Sequence, residues 1–141
     1  TLAYLDAVAA TAEARAADAD DALFLNTEGR VASTTMANLF ALIDGRLTTP
    51  PLGDGVLDGT TRRVVLEEAK AAGIDAGEAS LTRADLDRAE AMLLTNAVRL
   101  VVPVARLDGR DLAVDHPLIG TLGDAVGARI AADCGRDPRA A

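Results

Sequence analysis

With 141 residues, half of them apolar, the chain is long enough for about one domain that buries roughly two thirds of its unfolded surface. The net charge of −8 argues against nucleic acid as a partner, because phosphate binding relies on an excess of Lys and Arg, and no apolar run is long enough to span a membrane. The single cysteine, Cys134, can form no internal disulfide, which favours a reducing, cytoplasmic setting.

In chain order, TLAYLDAVAATAEARAAD places Leu2, Leu5, Val8, Ala9 and Ala12 at helical spacing. It opens with neither a Met nor a preceding turn, as an element entered in mid-protein, so the chain reads as a fragment. DDALFLN (20–26) reads as a short strand turned back by TEG (27–29). RVAST and ANLFALI continue as strands, and Asp44-Gly45 makes a hairpin turn into RLTT. The Pro- and Gly-rich PPLGDGVLDG (50–59) is a loop. A helix follows over 60–72, with Val64, Val65, Leu66 and Ala69 on its buried side and Gly73 as its stop.

IDAGEASL (74–81) reads as an edge strand. Thr82 and Asp85 form a capping pair for a short helix, RADLDRAE. AMLLTN and RLVVPVARL are apolar strands separated around Asn96-Ala97, and Asp108-Gly109 turns the chain again. Pro117 opens a last amphipathic helix through Leu118, Leu122, Val126 and Ile130, with His116 as a cap or surface residue and no metal-ligand cluster around it. Residues 134–141 (CGRDPRAA) are expected to fray. Strands joined by hairpins, with helices interspersed, give a mixed α/β or α+β fold in one domain over 1–133.

Three stretches carry possible chemistry. VASTTMANLF gathers Ser33, Thr34, Thr35 and Asn38, either as a solvated edge strand or as a strand facing a polar object that is not protein. LDGTTRR sets Thr60 and Thr61 on the first turn of a helix, where free N–H groups and the dipole favour an anion and Arg62 and Arg63 reinforce the charge; the other reading is an ordinary helix start capped by Asp58. LLTNAV puts small polar residues at a strand junction, for close approach of something bulky or simply for a tight turn.

Taken in order, EGRVASTTMANLF, GRLTTPP, GVLDGTTR and LLTNAVRLVVPV resemble the class IV family of pyridoxal-phosphate enzymes, which includes branched-chain and D-amino-acid aminotransferases and 4-amino-4-deoxychorismate lyase. Asn38, Leu39, Phe40, Leu47, Thr49, Leu57, Gly59, Thr61 and Arg62 fall into register with the family pattern. The resemblance covers nearly all of the chain and corresponds to the C-terminal half of a family member. It implies the cofactor-binding domain of a fold-type IV enzyme, a mostly antiparallel sheet or barrel with flanking helices, the N-terminal domain being absent from this chain.

The same resemblance implies that Thr60 and Thr61 hold the cofactor phosphate, with Asn96 and Ala97 beside it. Asn38 would lie along the cofactor, and Tyr4 near its phenolic oxygen. Ser33 stands where the family places the glutamate that keeps the pyridine nitrogen protonated, and a serine cannot stabilise a pyridinium comparably. The Schiff-base lysine is expected immediately before Thr1; Lys70, near the exposed end of its helix, is no replacement. Ser33, and TNAV followed by PV, tilt the expectation to the lyase, which releases pyruvate to give 4-aminobenzoate for folate synthesis. The alternatives are an aminotransferase of the same family and a non-catalytic relative that keeps the fold. A cytoplasmic homodimer acting on a small molecule is implied in the catalytic cases.

Overall fold

A computed structural model describes the backbone of residues 2–140 and the side chains from Tyr4 onward. Helix α1 (Leu2–Ala16) leads into β1 (Leu23–Leu25), which pairs antiparallel with β2 (Val31–Thr34). The central sheet is built from β3 (Asn38–Ile43), β4 (Arg46–Thr49), β5 (Ala76–Glu78), β6 (Ala91–Asn96) and β7 (Leu100–Pro103), in the order β5-β4-β3-β6-β7. All its neighbours are antiparallel except β4 and β5, which run parallel because α2 (Thr60–Ala71) forms the crossover between them. The capping box expected at Thr82 and Asp85 opens α3 (Arg83–Leu86). The strands β8 (Arg106–Leu107) and β9 (Arg110–Asp111) form a small hairpin, and α4 (Pro117–Cys134) closes the fold.

The period-2 alternation of β3 explains the two cores. Phe40 and Leu42, with Leu47, Ala91 and Leu93, face α2 and α4, where Val65, Ala69, Leu122 and Val126 meet them. Leu39 and Ala41, with Met92, face the other way onto Val31, Leu81, Leu86, Ala89 and Leu112. The hairpin between β3 and β4 turns at Asp44 and Gly45, both with positive φ, as a two-residue primed turn requires. At the N-terminus of α4, His116 caps by accepting a hydrogen bond at Nδ1 from the Leu118 N–H. Beyond the helix, Arg139 lies over Gly127 and donates to the Gly123 carbonyl and Asp124. On α1 the apolar face carries Tyr4, Leu5 and Val8, all exposed among the described residues. No helix among the described residues is long and apolar enough to cross a membrane.

Candidate anion and cofactor site

Segments 34–37, 57–59 and 96–99 meet at the N-terminus of α2, tied by side chains rather than by a shared ladder. Asn38 is the first residue of β3 and pairs with Thr95 across the sheet, so both side chains project on the Phe40 face beneath the helix start. The Asn38 amide donates to the Leu57 carbonyl at 2.9 Å, fixing the loop that delivers Gly59. Thr61 Oγ1 donates to the Asn96 carbonyl at 3.1 Å, joining α2 to the β6–β7 turn. Asn96 spends its own Oδ1 on the N–H groups of Val98 (3.0 Å) and Arg99 (2.8 Å), and its amide reaches the Met36 carbonyl at 3.5 Å. Leu100 leaves this turn with φ 60, a left-handed conformation that costs a branched residue roughly 1–2 kcal/mol and is kept only where the surroundings over-determine it.

The helix start itself is open. Gly59 is the N-cap residue, in extended conformation, and no side chain among the described residues caps the helix, so the first-turn N–H groups at Thr60, Thr61 and Arg62 keep their donors. Asp58, the cap in the ordinary-helix reading, instead lies 3.5 Å from Arg63, because a glycine occupies the position from which a side chain could fold back. Beneath this turn Thr95 is 1% exposed, and its hydroxyl has no hydrogen-bond partner among the described residues. A buried orphan hydroxyl costs about 1–3 kcal/mol, so one below an uncapped helix start suits a site completed by an acceptor from outside the chain.

Sequence reasoning placed Arg62 among the charges of this site, and the structure corrects it. Arg62 is 2% exposed, and its guanidinium points inward to the Pro50 carbonyl (2.9 Å) and the Glu78 carboxylate. Arg63 is turned outward to Asp58. In the hydroxyl-rich stretch, Thr34 donates to the Ala37 carbonyl at 3.3 Å and Thr35 to Asp21, so both are spent on the turn. Ser33 is half-buried on β2, one residue before that turn.

The geometry therefore brings together Thr60, Thr61, Asn96, Ala97 and Asn38, with Ser33 on the adjoining strand. Tyr4 stands on α1 with 72% exposure and takes no part in the bonds that join the loops. The expected lysine lies outside the described residues. Thr95 was missed as part of the site, since in LLTNAV nothing but burial distinguishes it from its neighbours, and in TTRR nothing but burial separates the inward role of Arg62 from the outward one of Arg63.

One loop anchor completes the site. Asp54, 3% exposed in the 3-10 turn Leu52–Asp54, accepts from Arg30 at 3.0 Å, while the Asn26 amide bonds its carbonyl at 3.2 Å. The neighbouring Ser80, and then Arg30, hold its carboxyl below the usual carboxylate range, against burial that pushes it up.

The sequence and the fold have counterparts among known proteins. The chain matches the amino-transferase class IV family over residues 1–107, and it belongs to that family. A Methanocaldococcus jannaschii protein provisionally named a branched-chain-amino-acid aminotransferase is 39% identical over 110 residues, 78% of this chain and 38% of its own length. The aminodeoxychorismate lyase of Vibrio harveyi is 33% identical over 114 residues, 81% of this chain and 42% of its own. Among solved structures, a Legionella pneumophila protein provisionally named a 4-amino-4-deoxychorismate lyase superposes with a TM-score of 0.86 at 38% identity, over 89% of this chain and 47% of that one. The chain thus spans less than half the length of each. The fold is that of the fold-type IV aminotransferases, and the family's cofactor is pyridoxal phosphate, bound in one solved neighbour, a hypothetical aminotransferase from Mycobacterium tuberculosis. The open first turn of α2 and the orphaned Thr95 hydroxyl fit the phosphate of that group.

Proposed function

We propose that this chain is the cofactor-holding part of a pyridoxal-phosphate lyase that converts 4-amino-4-deoxychorismate to 4-aminobenzoate and pyruvate. The observation that carries the cofactor reading is the uncapped start of α2 above the partnerless Thr95 hydroxyl. When bound, pyridoxal phosphate supplies an electron sink for a carbanion next to the substrate nitrogen. The chain's own work is to hold and orient. The N–H groups of Thr60, Thr61 and Arg62 receive the phosphate at the positive end of the helix, Thr95 donates from below, and the Asn96-Ala97 turn closes one side. Asn38 keeps the receiving loop in place.

Ser33 would meet the pyridine edge as a neutral partner that cannot keep a proton on the ring nitrogen. That handicaps transamination more than elimination, and it favours the lyase, as do the Vibrio and Legionella relatives. The amino group that carries the cofactor is not that of Lys70, exposed on α2 and about 15 Å along the helix from Thr60. We assign it to a lysine immediately before Thr1. Tyr4, on the helix that follows, would then approach the phenolic oxygen. We further propose a cytoplasmic homodimer.

The 39% identity to the Methanocaldococcus protein favours a second reading, a branched-chain aminotransferase. The purified natural protein decides between them. Pyruvate released from aminodeoxychorismate without an added amino acceptor supports the lyase, whereas turnover that requires an amino acid and a keto acid supports the aminotransferase. A visible absorbance band fixed by borohydride to a lysine is expected in both. Its absence with pyridoxal phosphate added would leave a relative that keeps the fold without the chemistry.

A further inference from the structure

We infer that Arg62 sets the orientation of the α2 N-terminus from beneath, with Glu78 as its counter-ion, and that neither side chain contacts an anion bound there. The inference rests on the proposed phosphate site. Arg62 follows Thr61 on the first turn, and an arginine there would ordinarily be read as a phosphate ligand, since its fork suits phosphate oxygens. The geometry is otherwise. The guanidinium is 2% exposed, and its Nη2 bridges the Pro50 carbonyl, at 2.9 Å, and the Glu78 carboxylate.

Those partners stand at one end of the parallel pair. Pro50 follows the last residue of β4, Glu78 is the last residue of β5, and Thr49 and Glu78 are in register. One cation therefore ties the start of the helix to the ends of both strands and closes the loop over 50–59. Asn38 holds that loop from the other side, at the Leu57 carbonyl. A buried charge is costly to leave unpaired, so the helix start can move only by breaking the bridge. Arg62 and Glu78 are thus positioning residues for the N–H groups of Thr60, Thr61 and Arg62.

Glu78→Gln gives opposite results under the two roles. If Arg62 were an anion ligand restrained by Glu78, neutralising the carboxylate would release it and tighten binding; removing a negative charge near an anion site works in the same direction. If the pair positions the helix start, binding weakens. Glu78 is 44% exposed, so glutamine is readily accommodated. In calorimetric titrations of the natural protein with inorganic phosphate and with pyridoxal phosphate, Glu78→Gln is expected to raise Kd roughly tenfold. Arg62→Lys, which keeps the charge but not the fork, should give a similar loss, and Asp75→Asn, which removes an exposed carboxylate paired with Arg46, should leave Kd unchanged.

Hydrogen exchange without ligand supplies an independent measurement. The amides of Gly59 and Arg63, bonded to the Leu57 and Gly59 carbonyls, should exchange faster in Glu78→Gln and not in Asp75→Asn. A tighter or unchanged Kd in Glu78→Gln overturns the inference. Wild-type protein that binds neither probe sinks the proposed function instead, and the exchange result then decides the positioning role: unchanged exchange at Gly59 and Arg63 overturns it.

Discussion

A Cβ on Gly59 would run into Asn38 Oδ1, in a region where the Asn38 amide is already committed to the Leu57 carbonyl. Gly59 has φ −69, which any residue adopts, so its requirement is one of space and not of backbone freedom. Gly59→Ala is expected to cost about 1–3 kcal/mol, because Asn38 must leave its bond to make room. Asn38→Ala should cost a similar amount, about 1–3 kcal/mol, through the lost bond to the Leu57 carbonyl, which keeps only the Gly59 N–H, and the space left beneath the helix start. In the double variant the clash has already been removed, so denaturant unfolding should show a combined loss well below the sum. Additive losses would mean that the two residues do not share the contact. Asn38 could be read from the sequence, as an amide at the start of an apolar strand. Arg62 could not, because TTRR gives two arginines of equal standing and only packing sends one inward and the other out.

The loop before α2 is held as an element by Asp54, the buried residue of its 3-10 turn. Asp54 carries the Arg30 contact there, and its folded-state pKa lies below the ordinary value of 3.8. A carboxyl depressed in the folded state contributes stability that is complete above the unfolded pKa and is lost as pH falls through the folded one. Wild-type protein should therefore exceed Asp54→Asn in melting temperature near neutral pH, and the gap should narrow as pH falls below 3.8. A gap that stays constant down the acid limb would show that the contribution is not ionic. Most elements were legible in the sequence because each carries its own local signal: Asp44-Gly45 for a hairpin, Thr82 and Asp85 for a capping box, Pro117 and Leu118, Leu122, Val126 and Ile130 for α4. The cap of α2 was not, since Asp58 is a good capping residue whose side chain the fold assigns to Arg63.

At the scale of the whole molecule, one parallel pair in an otherwise antiparallel sheet makes the site. The crossover it requires carries α2 over the sheet, so the helix begins above the point where Asn38 and Thr95 face each other. The order of the four motif stretches made the family legible, because it depends on which loops converge and not on any single residue. The substrate was not legible. The chain spans less than half of the relatives it matches, and those relatives include both a lyase and an aminotransferase. The central proposal is that this chain is a receptor for a phosphate group, and it can be met directly by amide NMR of isotopically labelled protein titrated with pyridoxal phosphate and, separately, with pyridoxal lacking the phosphate. The account predicts shifts concentrated at Thr60, Thr61, Arg62 and residues 95–97 with the phosphorylated ligand, and much weaker binding without the phosphate. Equal binding of the two ligands, or shifts that leave the first turn of α2 untouched, would contradict it.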